Sequence, residues 1–166
     1  DVTGAEWVTA IPTHWDANGR LAYVSPYFCW YPRWLVRAGQ FNGRSLGWMQ
    51  QESTFFTYGL LSKIDPNAVV AIRKSKLAGD IILWRQFARF TGPVSLMTTV
   101  AGFRRHGANL STKQLDNVYA EIEAGGVWLP PPWMSKYLWK LWQPVAMLGS
   151  YRAYRREVNR FSSELL

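Results

Sequence analysis

The chain has 166 residues, of which 48% are apolar and 18% charged, and its formal net charge is +8. That length can bury a core as one domain, and the composition excludes intrinsic disorder; the excess of cations points to an anionic partner, namely a phosphate-bearing small molecule, a nucleic acid or an acidic membrane surface. The single cysteine, Cys29, excludes an internal disulfide, no Cys/His cluster has zinc spacing, and no apolar run reaches the roughly 18–20 residues that a membrane span needs.

The opening "DVTGAEWVTAIPTHW" lacks the basic start and apolar centre of a signal peptide, and it begins without Met, as a piece of a longer protein would. With the lone cysteine, this sets the expectation of a cytoplasmic protein. "EWVTAIPTHWDANGRLAYVS" predicts two strands around a turn over 16–19, where Asn18 and Gly19 tolerate positive φ. "YPRWLVRAG" predicts a short helix, with Pro32 in its first turn and Gly39 as its stop. "FNGRSLGWMQQ" is punctuated by glycine and predicts a short strand or extended loop over 48–51. "STFFTYGLLSKI" predicts a helix capped by Ser53 or Thr54 that groups Phe55, Phe56, Leu60 and Ile64.

"LAGDIILWRQFARF" predicts a helix from near Asp80, because Ile81, Trp84, Phe87 and Ala88 recur at three- and four-residue steps. "GPVSLMTTVAGF" is a Gly-Pro turn followed by a β-branched run, which predicts one strand over 94–103. "STKQLDNVYAEIEAGG" carries a Ser111…Gln114 capping-box pattern, an apolar face of Leu115, Val118, Tyr119 and Ile122, and a stop at Gly125. Pro130, Pro131 and Pro132 then break the chain, and helices are expected over 133–142 and 145–161. Lys136, Lys140, Arg152, Arg155, Arg156 and Arg160 against Glu157 and Glu164 give this end half of the net charge. The expected architecture is α/β: a mixed sheet flanked by helices over 1–126, then a Pro-rich break and a basic amphipathic helical tail over 127–166.

Three short motifs carry chemistry. Asp80 at a helix N-terminus is stabilised as the anion by free N–H groups and could accept a proton from a hydroxyl; by pattern alone the plain helix cap is the favoured reading. In "GFRRHG", Arg104, Arg105 and His106 could bind a diphosphate, and His106 could ligate a divalent ion; the same residues also read as a solvated basic strand end. Strand alternation lets only one of the two arginines point the same way as His106. "QQEST" presents Gln51, Glu52 and Ser53 before an apolar run, either to a hydroxyl-rich ligand or as a capping segment.

Taken in order, "GWMQQESTFF", "LAGDIILWRQFARF" and "VAGFRRHGANLSTKQLDNVYAEIEA" resemble the C-terminal half of family 2 glycosyltransferases with the GT-A fold, over about residues 5–124. In that family a Q-Q/P-x-S/T-F-F/W segment precedes a helix, a small residue and Asp open the helix that carries the general base, and a strand ending in F-R-x-H contacts the donor's diphosphate. The resemblance implies transfer of a sugar, with inversion, from a nucleotide sugar to a glycan or lipid-linked acceptor. Asp80 would be the base, with Gly79 as the small residue before it. Arg104, Arg105, His106, Ser111 and Lys113 would lie on the diphosphate side. Trp48, Gln51, Glu52, Ser53 and Trp84 would line the acceptor and donor cleft. A divalent cation, Mn²⁺ or Mg²⁺, is implied for the complete enzyme.

The departures are specific. The chain has no Asp-x-Asp and no preceding βαβ nucleotide-binding half, and "FFTYGLL" lacks the basic residues that often follow the paired aromatics. The expectation is that these 166 residues do not turn over a sugar nucleotide alone, and that an upstream or separate half binds nucleotide and metal. The alternative is a non-catalytic module for a membrane surface or polyanion: Trp133, Tyr137, Leu138 and Leu141 share one helical face flanked by Lys136 and Lys140, which suits an anionic interface unless that face packs back on the body. Nucleic acid is not an expected partner, because only charge and aromatic content favour it.

Overall fold

The computed structural model describes residues 4–25, 30–106, 108–109 and 113–164, with side chains of the last helix described as far as Gly149 and at Tyr151. The architecture is α/β, two small mixed sheets flanked by helices. β1 (Trp7–Thr9) lies between antiparallel β4 (Thr54–Phe56) and parallel β5 (Val94–Ser95). β2 (Thr13–Trp15) lies between antiparallel β3 (Leu21–Val24) and parallel β6 (Phe103–Arg104).

The N-terminal segment therefore forms three strands, not two. The predicted turn holds: Asp16 Oδ1 accepts from the N–H groups of Asn18 and Arg20, both at 2.8 Å, and Gly19 has φ 78°. The predicted strand over 94–103 is split between the two sheets. The cause lies in its neighbour. Pro12, between β1 and β2, has no N–H to offer a ladder, and Val94 and Phe103 lie further apart in sequence than their partners Val8 and His14, so one continuous register is impossible. Side chains close the gap: Thr13 Oγ1 donates to Ala101 O at 2.8 Å, and Ser53 Oγ lies 2.8 Å from the same carbonyl.

α1 (Arg33–Arg37) forms with Pro32 as its N-cap residue and not within the first turn, and Gly39, at φ 73°, follows its C-cap Ala38 as the expected stop. The helix expected to start at Ser53 or Thr54 does not. Residues 51–53 make one 3-10 turn, β4 follows, and α2 (Tyr58–Leu61) begins only after Thr57, whose side chain accepts from Leu60 N–H. Pairing of Phe56 with Trp7 and of Phe55 with Val8 wins this stretch for the sheet, which suits aromatic residues. α3 (Pro66–Lys74) was not anticipated, although Asp65 caps it through Asn67 N–H and Pro66 sits in its first turn.

α4 (Gly79–Phe87) is the helix read from periodicity, and it joins two cores. Trp84 and Phe87 pack with Trp7, Leu35, Val36 and Leu60, while Ala78 and Ile81 pack with Val118, Ile122, Val127 and Leu129. α5 (Leu115–Ala124) supplies Val118 and Ile122 to the second core, leaves Leu115 exposed, and stops at Gly125 as expected. Its N-cap is Gln114 with no side-chain cap; the expected partner Ser111 lies outside the described residues.

After the prolines one continuous helix, α6 (Pro132–Glu164), replaces the two predicted segments and runs through Pro144. Packing on both sides of Pro144 holds the axis. Trp142 stacks on Trp30 at 5.6 Å and meets Phe41 edge-on at 5.9 Å, and Ala146 is buried. A Cβ at Gly149 would lie 2.2 Å from the Trp30 ring, so a residue without one lets the helix close on that ring. α6 thus packs on the body through Trp142, Ala146 and Gly149, with Leu138 half-buried, and not through Trp133, Tyr137 or Leu141, which are exposed.

Candidate active site

α4 opens without a side-chain cap of its own. Ala78 is the N-cap residue, with φ −122° and ψ 18°, and Asp80 is the second residue of the helix, not its cap. The turn that leads into it is gripped from another helix. Glu121 of α5 accepts from Ser75 Oγ at 2.7 Å and from the N–H groups of Lys76, Leu77 and Ala78 at 3.2, 3.0 and 3.2 Å. Burial pushes the Glu121 carboxyl up, but the donors around it favour the anion more strongly and hold it below the ordinary carboxylate value.

Asp80 is in the opposite situation. Burial raises its pKa from 3.8 to about 6; hydrogen bonds from Ile81 N–H, at 2.8 Å, and from its own N–H oppose the rise, and the negative charge of Glu52 adds to it. The helix terminus was expected to make Asp80 an easily ionised carboxylate. Burial outweighs it here, because a short supply of donors replaces the lost water. A carboxylate with a pKa of about 6 is mostly anionic at pH 7 and is a better proton acceptor than an exposed one.

"QQEST" divides between scaffold and surface. The Gln50 side chain acts as a strand partner for Thr13, accepting from its N–H at 3.1 Å and donating to its carbonyl at 2.8 Å. Ser53 is fully buried, with Oγ 2.8 Å from both Gln50 Oε1 and Ala101 O, so it is a structural bridge and not a cleft-lining group. Gln51 and Glu52 are exposed on the 3-10 turn, and Glu52 is the residue whose charge reaches Asp80.

Arg104 and Arg105 diverge as alternation requires. Arg104 Nη2 donates to the Ala17 carbonyl in the β2–β3 turn. Arg105 lies near enough to His14 to lower its pKa, after burial, which is the larger cause. His14 pairs with Phe103, and Arg105 two residues on shares that face. His106 N–H donates to Asn109 Oδ1 at 2.6 Å, and Asn109 Nδ2 donates to Arg104 O at 3.1 Å, so Asn109 staples the basic loop. Arg104, Arg105, His106 and Lys113 are all exposed, whereas Ser111 lies outside the described residues.

Two contacts link parts of these motifs. The bond from Ser53 to Ala101 seats the Gln51–Ser53 turn against the segment that leads into Arg104, and Glu52 links that turn to Asp80. Trp48 and Trp84 are not equivalent. Trp84 is 3% exposed and stacks on Trp7 at 5.6 Å; its indole N–H has no hydrogen-bond partner among the described residues. Its expected place in the cleft is therefore corrected to the core, as the three- and four-residue periodicity of α4 also implies. Trp48 is exposed. The buried Asn42 fixes the preceding loop by accepting from the N–H groups of Arg44 and Ser45, both at 2.9 Å, and Gly43, at φ 79°, leaves room for the Trp48 ring where a Cβ would sit. Trp48 forms one wall of a small aromatic cleft, about 80 Å³, with Trp30, Tyr31, Phe41, Trp139 and Trp142.

Glu121, Asn42 and Asn109 were missed as positioning residues. Each acts through backbone groups of a turn or loop, and Glu121 does so across more than forty residues of sequence, for which no local pattern exists. Among the described residues no three of His, Cys, Asp and Glu are grouped to hold a metal, and His106 Nε2 lies 3.4 Å from Asn109 Nδ2. No helix among the described residues is long and apolar enough to cross a membrane. Comparison with protein-family models, curated proteins and solved structures found no match to the chain.

Proposed function

We propose that this chain is the acceptor-side, base-bearing part of an inverting glycosyltransferase of GT-A type, which moves a sugar from a nucleotide sugar to a glycan or lipid-linked acceptor. The observation that carries the reading is Asp80, a carboxylate raised to about 6 by burial and placed next to the exposed Gln51–Glu52 turn. Asp80 takes the proton of an acceptor hydroxyl. The hydroxyl oxygen attacks the anomeric carbon in line and the nucleoside diphosphate leaves from the opposite side, which inverts the centre. Arg104 and His106, both exposed at the basic strand end, neutralise charge on the departing diphosphate, while Arg105 lies on the His14 side. Glu121 positions Asp80 by holding the turn before it. No step is assigned to a metal.

The test uses the complete product of the native gene with a panel of nucleotide sugars, Mn²⁺ and candidate acceptors, and reads nucleoside diphosphate release that depends on the acceptor. Acceptor-dependent release that is lost in Asp80→Asn is the expected result. Release that survives the substitution overturns Asp80 as the base. Robust transfer by residues 1–166 alone overturns the assignment of this chain as only part of the catalytic unit.

A further inference from the structure

α6 is apolar on two faces. One face, with Trp142, Ala146 and Gly149, is spent on the body. Trp133, Tyr137, Leu141, Val145 and Leu148 follow at steps of four, four, four and three, which sets them in one stripe about 22 Å long on the other side. They are 67%, 60%, 71%, 46% and 63% exposed. A helix that is apolar on both sides is normally buried on both, and a stripe of this length exceeds the scattered apolar exposure of an ordinary surface.

What covers the stripe is indicated by charge. Lys136 and Lys140 lie along its flank, both exposed, and neither has an ion-pair partner among the described residues. From Pro132 to Arg156 the helix sequence contains no acidic residue at all. Two copies meeting through this stripe would bring like charges together. An anionic bilayer surface meets both requirements: aromatic and aliphatic side chains enter the headgroup boundary, and lysines reach up along them to lipid phosphates. We propose that α6 is a membrane-docking helix that lays Trp133, Tyr137, Leu141, Val145 and Leu148 into an anionic lipid interface while its opposite face stays on the body. This inference does not rest on the transfer chemistry.

Sedimentation of the chain with vesicles tests it without any sugar substrate, so its failure and that of the transferase reading are separate events. Vesicles of phosphatidylcholine with phosphatidylglycerol should bind the protein at low salt, and pure phosphatidylcholine should bind it much less. Leu141→Glu, at a 71% exposed position where folding is not at stake, should cut partitioning at least tenfold with an unchanged circular dichroism spectrum. Lys136→Gln and Lys140→Gln should each cost roughly fivefold, and 0.5 M salt should act in the same direction. Equal binding to neutral and anionic vesicles overturns the proposal, as does absence of binding to either. A dimer that Leu141→Glu disperses, with no vesicle binding, also overturns it and assigns the stripe to a second copy.

Discussion

Two carboxylates stand at the same turn and were given opposite fates. Glu121 reaches in from α5 and meets a hydroxyl and three backbone N–H groups, which hold it as an anion below its ordinary pKa. Asp80, two residues past that turn, loses water and gains little in return, and its pKa rises to about 6. Burial is unequal between them: Asp80 is deeply enclosed, whereas the Glu121 carboxylate stays close to solvent. Depth and the supply of donors together separate a group that holds a turn as an anion from one that keeps its proton to higher pH.

The largest test of that contrast is catalytic. In the full gene product Asp80→Asn should lower turnover by about 10²–10⁴-fold with donor affinity little changed, measured by acceptor-dependent diphosphate release and by donor titration. Near-normal turnover would make Asp80 merely buried.

The same substitution should stabilise the fold. The folded pKa of Asp80, about 6, lies above the ordinary 3.8, so its contribution to stability is fully present below about 3.8 and is lost as pH rises through 6. Wild type therefore carries a penalty at pH 7 of up to about 3 kcal/mol, which Asp80→Asn relieves. Urea melts should show the variant gaining at pH 7 and not at pH 3.5, and a variant no more stable at pH 7 would remove the raised pKa.

Glu121→Ala should act the other way, costing about 1–3 kcal/mol at pH 7 and speeding hydrogen exchange at Lys76, Leu77 and Ala78. Because the folded pKa of Glu121 is depressed, its contribution is present above its ordinary value of 4.5 and is lost as pH falls through the folded value. Unchanged exchange at those amides would release Glu121 from its positioning role. The smallest effect belongs to Glu52→Gln. It removes the weakest of the causes that raise Asp80, so the acid limb of the pH–rate profile should move to lower pH; a shift to higher pH would contradict the proximity of the two groups.

Much of the candidate site was legible, but in pieces. Asp80, Gln51, Glu52 and Arg104 stood out by residue type and spacing, and all lie where chain order put them, near a helix start, a turn and a strand end. Ser53 and Trp84 were read as cleft residues and are buried parts of the frame, because membership of a motif does not say which side of the backbone faces water.

Local physics was enough for the α4 periodicity, the Asp16 turn, the Gly125 stop and the helical C-terminal end, since each depends on residues within a few positions of one another. Only the tertiary structure decided the rest. The segment after Val94 divides between two sheets because its partners β1 and β2 do, Phe55 and Phe56 pair with Val8 and Trp7 in a sheet instead of forming a helix, and Trp142 and Ala146 carry a helix through Pro144. The protonation of Asp80 belongs to the same group. It is the sum of lost water and available donors around one carboxylate, and those are supplied by residues the sequence keeps far apart.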